Sequence, residues 1–473
     1  MTTMQVRNPR NGQPDYEFIP PSAGELHALA LRLRNSGWAA RSLDERISAL
    51  QSWKDSLTQQ RAAIISALTT DTGRALISAM EFDGVIRSID RWCALAPQLL
   101  QPEPARQSVA MPSIHFKHQL VPYALVGVIS PWNFPLTLAM IDAIPALLAG
   151  CAVIIKPSEI APRFVDPMRE SLADAHALPL AFVQGAAITG ATLIECADAI
   201  CFTGSVKTGK LVAVACAQRM IPAFLELGGK DPVIVTATAE IKQAAATVLR
   251  ASVLATGQAC QSLERIYVDE TIAESFITEL VQQASAVTLN YPDLHRGQIG
   301  PLIFDQQAGI IAAQLADAVS KGVRVLTGGV IETHGGGQWI RPTVITNVNH
   351  TMTVMTEETF GPVLPVMTYR TTDEAVALAN ESEYGLSAAV IAGSLEEAEA
   401  IALQLEVGAV SLNDGALTGL MYEAEKHSFK LSGLGGSRMG AAGMMRFFRK
   451  KALLMQSGMP MPLAAMDEAN AQC

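Results

Sequence analysis

An α/β protein of two or three domains, with parallel sheets arranged in series, is what this sequence predicts. The short runs ALVGVIS, CAVIIK, LAFVQG, AICFTG and PAFLELGG alternate with segments of helical length, the pattern of repeated βα units. At about 150 residues per domain, a chain of 473 residues exceeds one ordinary core. Hydrophobic residues make up 49% of it and its mean hydropathy is positive, as a sheet buried on both faces requires.

Between residues 23 and 100, AGELHALALRLRNSGWAARSLDERISALQSWKDSL repeats apolar residues three and four apart with charges between them, which predicts amphipathic surface helices. SVAMPSIHFKHQLVPY, residues 108–123, changes to alternating, β-rich composition and predicts a hairpin arm that pairs with another subunit. PLTLAMIDAIPALLAGCAVII, residues 135–155, holds one charge, Asp142, and is long enough to span a membrane. Pro145 and Gly150 divide it, however, and its β-branched end reads as a strand, so a buried helix followed by a buried strand is expected. A second parallel α/β set begins at Pro232 with VIV, a helix around residues 239–256, RIYV, VRVLTGG, RPTVIT, PVLPVMTY, AAVIAG and GAVSLN. No repeat or low-complexity linker separates the halves.

Charge and cysteine usage narrow the function. Asp and Glu number 45 against 35 Lys and Arg, a net charge of -10, and no stretch concentrates enough cations to neutralise a phosphate backbone. Nucleic acid is therefore not expected as a partner, nor is a membrane. The seven cysteines, Cys93, Cys151, Cys196, Cys201, Cys216, Cys260 and Cys473, are odd in number and lack CxxC or Cys/His ligand spacing. Reduced thiols in the cytoplasm and no metal site are the expectation; Cys151, Cys201 and Cys216 sit in apolar runs and read as small core residues. The opening residues MTTMQVRNPRNGQPDYEF lack the apolar core of a signal peptide.

Several loops after strands hold groups suited to chemistry. FTGSVKTG, residues 202–209, places Gly204 and Ser205 at the start of a helix, where a phosphate could approach the backbone; a simple tight turn fits equally. In IIKPSE, Lys156 can donate to ribose hydroxyls and Glu159 can accept from them, although a solvated loop would also read this way. SPWNFP fixes the Asn133 amide between Trp132 and Phe134, with prolines on both flanks. LELGGK sets Glu226 among apolar neighbours, which should raise its affinity for a proton toward the range of a general base; a salt-bridged loop glutamate is the alternative. TGQACQS presents Cys260 behind a Gly-Gln pair.

SPWNFP, IIKPSE, FTGS, LELGGK, TGQACQS and EETFGP, taken in this order, closely resemble the aldehyde dehydrogenase superfamily, and the resemblance extends to LSGLGGSRMG near the C-terminal end. It implies a Rossmann-type dinucleotide-binding domain over residues 1–103 and 122–227, an α/β catalytic domain over 228–445, and a small β oligomerisation arm over 104–121 and 446–473. By the same resemblance Cys260 is the nucleophile, Asn133 and the Cys260 backbone N–H bind the oxyanion, and Glu226 activates the hydrolytic water. Lys156 and Glu159 fall on the adenosine ribose, Trp132, Gly204 and Ser205 near the pyrophosphate, Glu358 on the nicotinamide ribose and Phe360 against its ring. A carboxylate at Glu159 should repel a 2'-phosphate, so NAD is expected over NADP. The partners implied are a small aldehyde substrate and further copies of the chain, as homodimer or homotetramer.

Two departures stand out. Many members carry Asn where this chain has Ala255, and many read PFGG where this chain reads EKHSFKLSG. Residues 412–428 correspond to the substrate-entrance loop, whose Leu417, Leu420, Met421 and Tyr422 suggest an apolar aldehyde of aromatic or medium-chain type; packing of an exposed loop would explain them as well. Two other readings remain at this stage. A CoA-acylating relative would pass the thioester to CoA, but such relatives typically lack the base glutamate. A non-catalytic relative would be expected to lose the nucleophile, the base or the oxyanion amide, and this chain keeps all three.

Overall fold

A computed structural model of the protein describes residues 3–173 and 178–471. Four helices, Ala23–Arg34, Leu43–Gln59, Arg61–Thr72 and Ala75–Leu99, occupy the segment where helical periodicity predicted them. Ser22 with Glu25, and Ser42 with Glu45, form reciprocal capping boxes that satisfy the first free N–H groups of their helices. The inward faces of these helices deliver Trp53 and Trp92 into the largest apolar core, against the helix Pro135–Ala149.

The first sheet has six strands in the order Gly433–Leu434, Ala223–Glu226, Ala199–Thr203, Leu125–Ile129, Ala152–Lys156 and Leu180–Phe182. The last five are parallel, as the alternating pattern predicts. From Leu125–Ile129 the chain moves outward through two strands, then returns to place Ala199–Thr203 on the other side. Such a reversal opens a crevice at the carboxyl ends of the strands, where open α/β sheets bind ligands.

The second sheet runs Arg324–Thr327, Thr343–Thr346, Val363–Tyr369, Leu263–Asp269, Asp231–Val235, Ala388–Ile391 and Val410–Leu412. Purely parallel sheets were expected, and both sheets depart from this at one edge. Arg324–Thr327 is antiparallel to Thr343–Thr346, and Gly433–Leu434 is antiparallel to Ala223–Glu226. Antiparallel edges need no crossover helix, so the βα alternation of the sequence does not announce them. Gly433–Leu434, from within the span 228–445, thereby completes the first sheet beside Glu226.

Residues 135–155 form the buried helix Pro135–Ala149 and the buried strand Ala152–Lys156. Among the described residues no helix is long and apolar enough to cross a membrane. The predicted hairpin region forms a strand, Ile114–Pro122, paired along its whole length with Phe448–Gln456 and briefly with Arg106–Gln107. Leu453, Leu454 and Met455 on the C-terminal strand stay exposed.

Candidate active site

Cys260 follows an unusual turn. After the helix Ile241–Val253, Ala255, Thr256 and Gly257 all adopt left-handed backbone conformations, with φ of 56°, 62° and 68°. Two of these residues are not glycine, and each costs about 1–2 kcal/mol in that region. Contacts from elsewhere hold the turn. The Ala255 carbonyl accepts from Arg74 Nη1 at 3.4 Å and Gln258 Nε2 at 3.3 Å. Thr256 Oγ1 donates to the Gly300 carbonyl and accepts from the Gly300 N–H, both at 3.0 Å. Gln258 also donates to the Pro301 carbonyl and accepts from the Ile303 N–H. Ala255 has no side-chain hydrogen-bonding group of its own, and its neighbours anchor the turn.

Asn133 lies buried in the loop between the strand Leu125–Ile129 and the helix Pro135–Ala149. Its Nδ2 donates to the Gln258 carbonyl at 3.0 Å, two residues before Cys260, which leaves a second amide hydrogen for another acceptor. Both flanks of the loop are fastened from one corner of the helical layer. Arg74 Nη2 donates to the Asn133 carbonyl, and Glu81 Oε2 accepts from the N–H groups of Leu136 and Thr137 at 3.1 and 2.9 Å.

Glu226 ends the strand Ala223–Glu226, and its surroundings correct the expectation of a raised proton affinity. Burial does push its pKa upward, but Lys426, then Arg438 and a hydrogen bond from Ser428, outweigh that and leave it below the ordinary carboxylate value. Ser428 Oγ donates to Glu226 Oε2 at 3.0 Å, and Lys426 Nζ stands 3.7 Å from the same oxygen. These partners come from residues 426–438, so no local window around Glu226 reveals them. The salt-bridged alternative is the observed one.

Cys260 is part-exposed, while Cys93, Cys151, Cys196, Cys201 and Cys216 are buried. Burial and the carboxylates of Glu358, Asp231 and Glu226 push its thiol up to about 12, against a smaller opposing pull from Lys426. At neutral pH it rests as a thiol. Burial also raises the other five described thiols, Cys216 to about 11, consistent with inert core packing. Cys473 lies outside the described residues.

The predicted cofactor residues gather along the carboxyl edge of the first sheet and the facing loop. Lys156 ends its strand and pairs with Glu159 at 3.2 Å. Ser205 caps the helix Val206–Gln218, its Oγ accepting from the Thr208 N–H at 3.3 Å. The Gly204 N–H donates to the Glu226 carbonyl, tying this turn to the base candidate. Trp132 meets Phe360 edge-on at 5.3 Å. Glu358 accepts from the Gly229 N–H at 3.2 Å, and burial followed by repulsion from Glu264 pushes it up to about 8. Its loop is pinned by Glu264, which accepts from the N–H groups of Thr359 and Phe360 and from Lys230 Nζ at 2.7 Å. A lysine–carboxylate pair and a capped helix start at the carboxyl edge of the first sheet, with the Trp132 and Phe360 ring pair, are groups able to hold a dinucleotide. Gly229 brings this loop against Cys260: a Cβ there would lie 2.5 Å from the Cys260 carbonyl oxygen.

A part-exposed cysteine two residues from the carbonyl that holds the Asn133 amide, with the Glu226 carboxylate near enough to act on it electrostatically, narrows the candidates. The model of the aldehyde dehydrogenase family matches residues 3–453. The chain belongs to the aldehyde dehydrogenase family. The solved structure of PutA from Anabaena variabilis is 52% identical to this aldehyde dehydrogenase, with a TM-score of 0.95 over 98% of this chain and 99% of that one. Betaine aldehyde dehydrogenase from Staphylococcus aureus, solved in complex with NAD+, is 27% identical with a TM-score of 0.91 over 97% and 92% of the two chains. A relative in Mycolicibacterium smegmatis, named a putative succinate-semialdehyde dehydrogenase (NADP(+)), is 36% identical over 91% of this chain and 84% of its own. The 4,4'-diapolycopene aldehyde oxidase of a Methylomonas species is 33% identical over 88% and 78%.

Sequence reasoning missed Arg74, Glu264, Lys426, Ser428 and Arg438 as parts of this aldehyde dehydrogenase's site. One signal did point to two of them: Lys426 and Ser428 lie in EKHSFKLSG, the segment that stood out as a departure in the sequence.

Proposed function

We propose that this aldehyde dehydrogenase oxidises an aldehyde to the carboxylic acid with NAD, through a thiohemiacetal and then a thioester on Cys260. The observation that carries the reading is the convergence on Cys260 of the Asn133 loop, joined through Gln258, and the carboxylate of Glu226. Cys260 starts as a thiol, so its addition to the carbonyl requires a proton acceptor, and Glu226, already ionised, fills that role. The oxyanion accepts the unspent Asn133 N–H and the Cys260 backbone N–H. NAD, when bound, would supply the hydride acceptor for this oxidation. Glu226, once its proton has passed to solvent, takes a proton from water attacking the thioester carbonyl; the carbon–sulfur bond then breaks, and Cys260 leaves as a thiolate that takes that proton back from Glu226 and returns to the thiol as the acid is released.

Lys156 and Glu159 serve the adenosine ribose, Trp132, Gly204 and Ser205 the pyrophosphate, and Glu358 and Phe360 the nicotinamide end. Residues 1–103 and 122–227 bind the cofactor, 228–445 carry the nucleophile, and the arm of 104–121 with 446–473 joins copies into a dimer or tetramer in the cytoplasm. Exposed apolar residues on the arm's C-terminal strand favour that use.

NAD over NADP rests on the Glu159 carboxylate; the NADP(+) in a relative's name belongs to that relative. The test is a kinetic screen of aliphatic, aromatic and semialdehyde substrates with each cofactor at equal concentration, with product analysis. Free acid formed faster with NAD supports the reading, and Cys260→Ala should abolish it. Acyl-CoA as product, faster turnover with NADP, or an active Cys260→Ala would each overturn the part concerned.

A further inference from the structure

Lys426 is a buried cation whose ammonium lacks a hydrogen-bond partner among the described residues. Its side chain is 5% exposed, and its one ion pair is the 3.7 Å approach to Glu226. The segment bearing it is firmly placed: the Lys426 N–H donates to Ser437 Oγ, and Gly433 pairs in register with Glu226 itself.

The other titratable groups around Glu226 and Lys426 come from further elements. Arg438 and Arg446 approach from the C-terminal segment, but both bind Asp142 on the helix Pro135–Ala149, Arg438 at 3.1 Å. Arg438 also donates to Thr203 Oγ1 at 2.7 Å, at the end of the neighbouring strand. Cys260 on the nucleophile loop interacts electrostatically with Glu226, and Asp231, at the start of the second sheet, with both Lys426 and Cys260. With two arginines engaged by Asp142, Lys426 is the cation left for Glu226.

We propose that Lys426 is a positioning residue that acts through Glu226, keeping the base ionised and seated on Ser428 so that thioester hydrolysis continues into mildly acidic solution. This rests on Glu226 being the base. The EKHSFKLSG segment contributes both Lys426 and Ser428 to the Glu226 carboxylate. The balance of charges agrees with it: without Lys426 the burial of Glu226 would be opposed mainly by arginines already shared with Asp142.

The decisive readout is the decay of the acyl-enzyme, followed by rapid quench and intact-protein mass against pH. The acylated sulfur no longer titrates, so this profile reports the base. Removing an opposite charge from a carboxylate's side should move its acid limb upward by about one unit or more. The full-length enzyme carrying Lys426→Met should show that shift, and Lys426→Arg should restore most of the wild-type profile. Lys426→Gln replaces Met if the Met variant fails to fold. In a Glu226→Gln background, Lys426→Met should produce no further shift. An unshifted Lys426→Met profile beside an impaired Glu226→Gln overturns the proposal alone, as does a shift that persists without Glu226. Wild-type decay in Glu226→Gln overturns the base assignment and the proposal with it.

Discussion

The guanidinium of Arg74 donates to the backbone carbonyl of Asn133 with one nitrogen and to that of Ala255 with the other. One buried cation thus spans the loop bearing Asn133 and the strained turn leading to Cys260. Its Nε has no hydrogen-bond partner among the described residues and its Cζ lies 5.3 Å from the centre of the Phe134 ring, so its cost of burial is met at these two carbonyls and by the charge of Glu81.

Arg74→Met should therefore lower kcat while moving KM little. Small misplacements of reacting groups can cost about 100-fold, so a fall of roughly 10- to 100-fold is expected. Arg74→Lys, which cannot present a planar fork to two carbonyls, should recover only part of it. Steady-state kinetics with a thermal melt on each variant checks this; equal loss of kcat and of folded protein would make the role merely structural.

Gly229→Ala tests how closely the Glu358-bound loop packs on Cys260. An added Cβ meets the Cys260 carbonyl oxygen at 2.5 Å, a backbone atom that cannot swing away. Loss of at least about tenfold in kcat is expected from displaced reacting groups. At Gly84 the nearest atom to such a Cβ is the end of Arg87 at 3.9 Å, so Gly84→Ala should leave kcat unchanged and serves as the control.

Ala255→Gly should stabilise the protein, because glycine relieves a left-handed conformation worth about 1 kcal/mol, less what it adds to the freedom of the unfolded chain. Urea unfolding would show the midpoint rising by a fraction of that energy. A lower midpoint would mean that packing of the Ala255 methyl, which is buried, outweighs the backbone strain.

Glu358, held up to about 8 by burial and by Glu264, should couple cofactor binding to pH. Ribose hydroxyls donate best to the carboxylate, so binding favours loss of its proton. Below about pH 8 NAD binding should release a proton, and affinity should rise as pH climbs toward 8. Titration calorimetry in two buffers of different ionisation enthalpy measures that proton. Glu358→Gln should abolish its release; proton uptake by the wild type would contradict the assignment.

The alternation of β-branched runs made both parallel sheets legible, because two-sided burial leaves a clear signature in composition. The antiparallel edges, Arg324–Thr327 and Gly433–Leu434, carried no such signature: their pairing is set by tertiary neighbours. The same division holds in the site. Cys260, Asn133 and Glu226 are recognisable because each sits in a short ordered motif. The protonation of Glu226 was misread because Ser428 lies 202 positions away, and a strand end flanked by leucines conveys burial without its counter-ions. The left-handed turn at Ala255 was equally hidden, since alanine rarely adopts that conformation and its anchors, Arg74 and Gly300, come from distant segments.

Cys260 as the covalent centre can be tested most directly by trapping its acyl form. Glu226→Gln, mixed with an aldehyde the wild type turns over and with NAD, is quenched and analysed by intact-protein and peptide mass spectrometry. The expected result is a mass gain of one acyl group per chain, located on Cys260 and accompanied by one equivalent of reduced cofactor. Reduced cofactor formed without an adduct, or an adduct on any other residue, would contradict it.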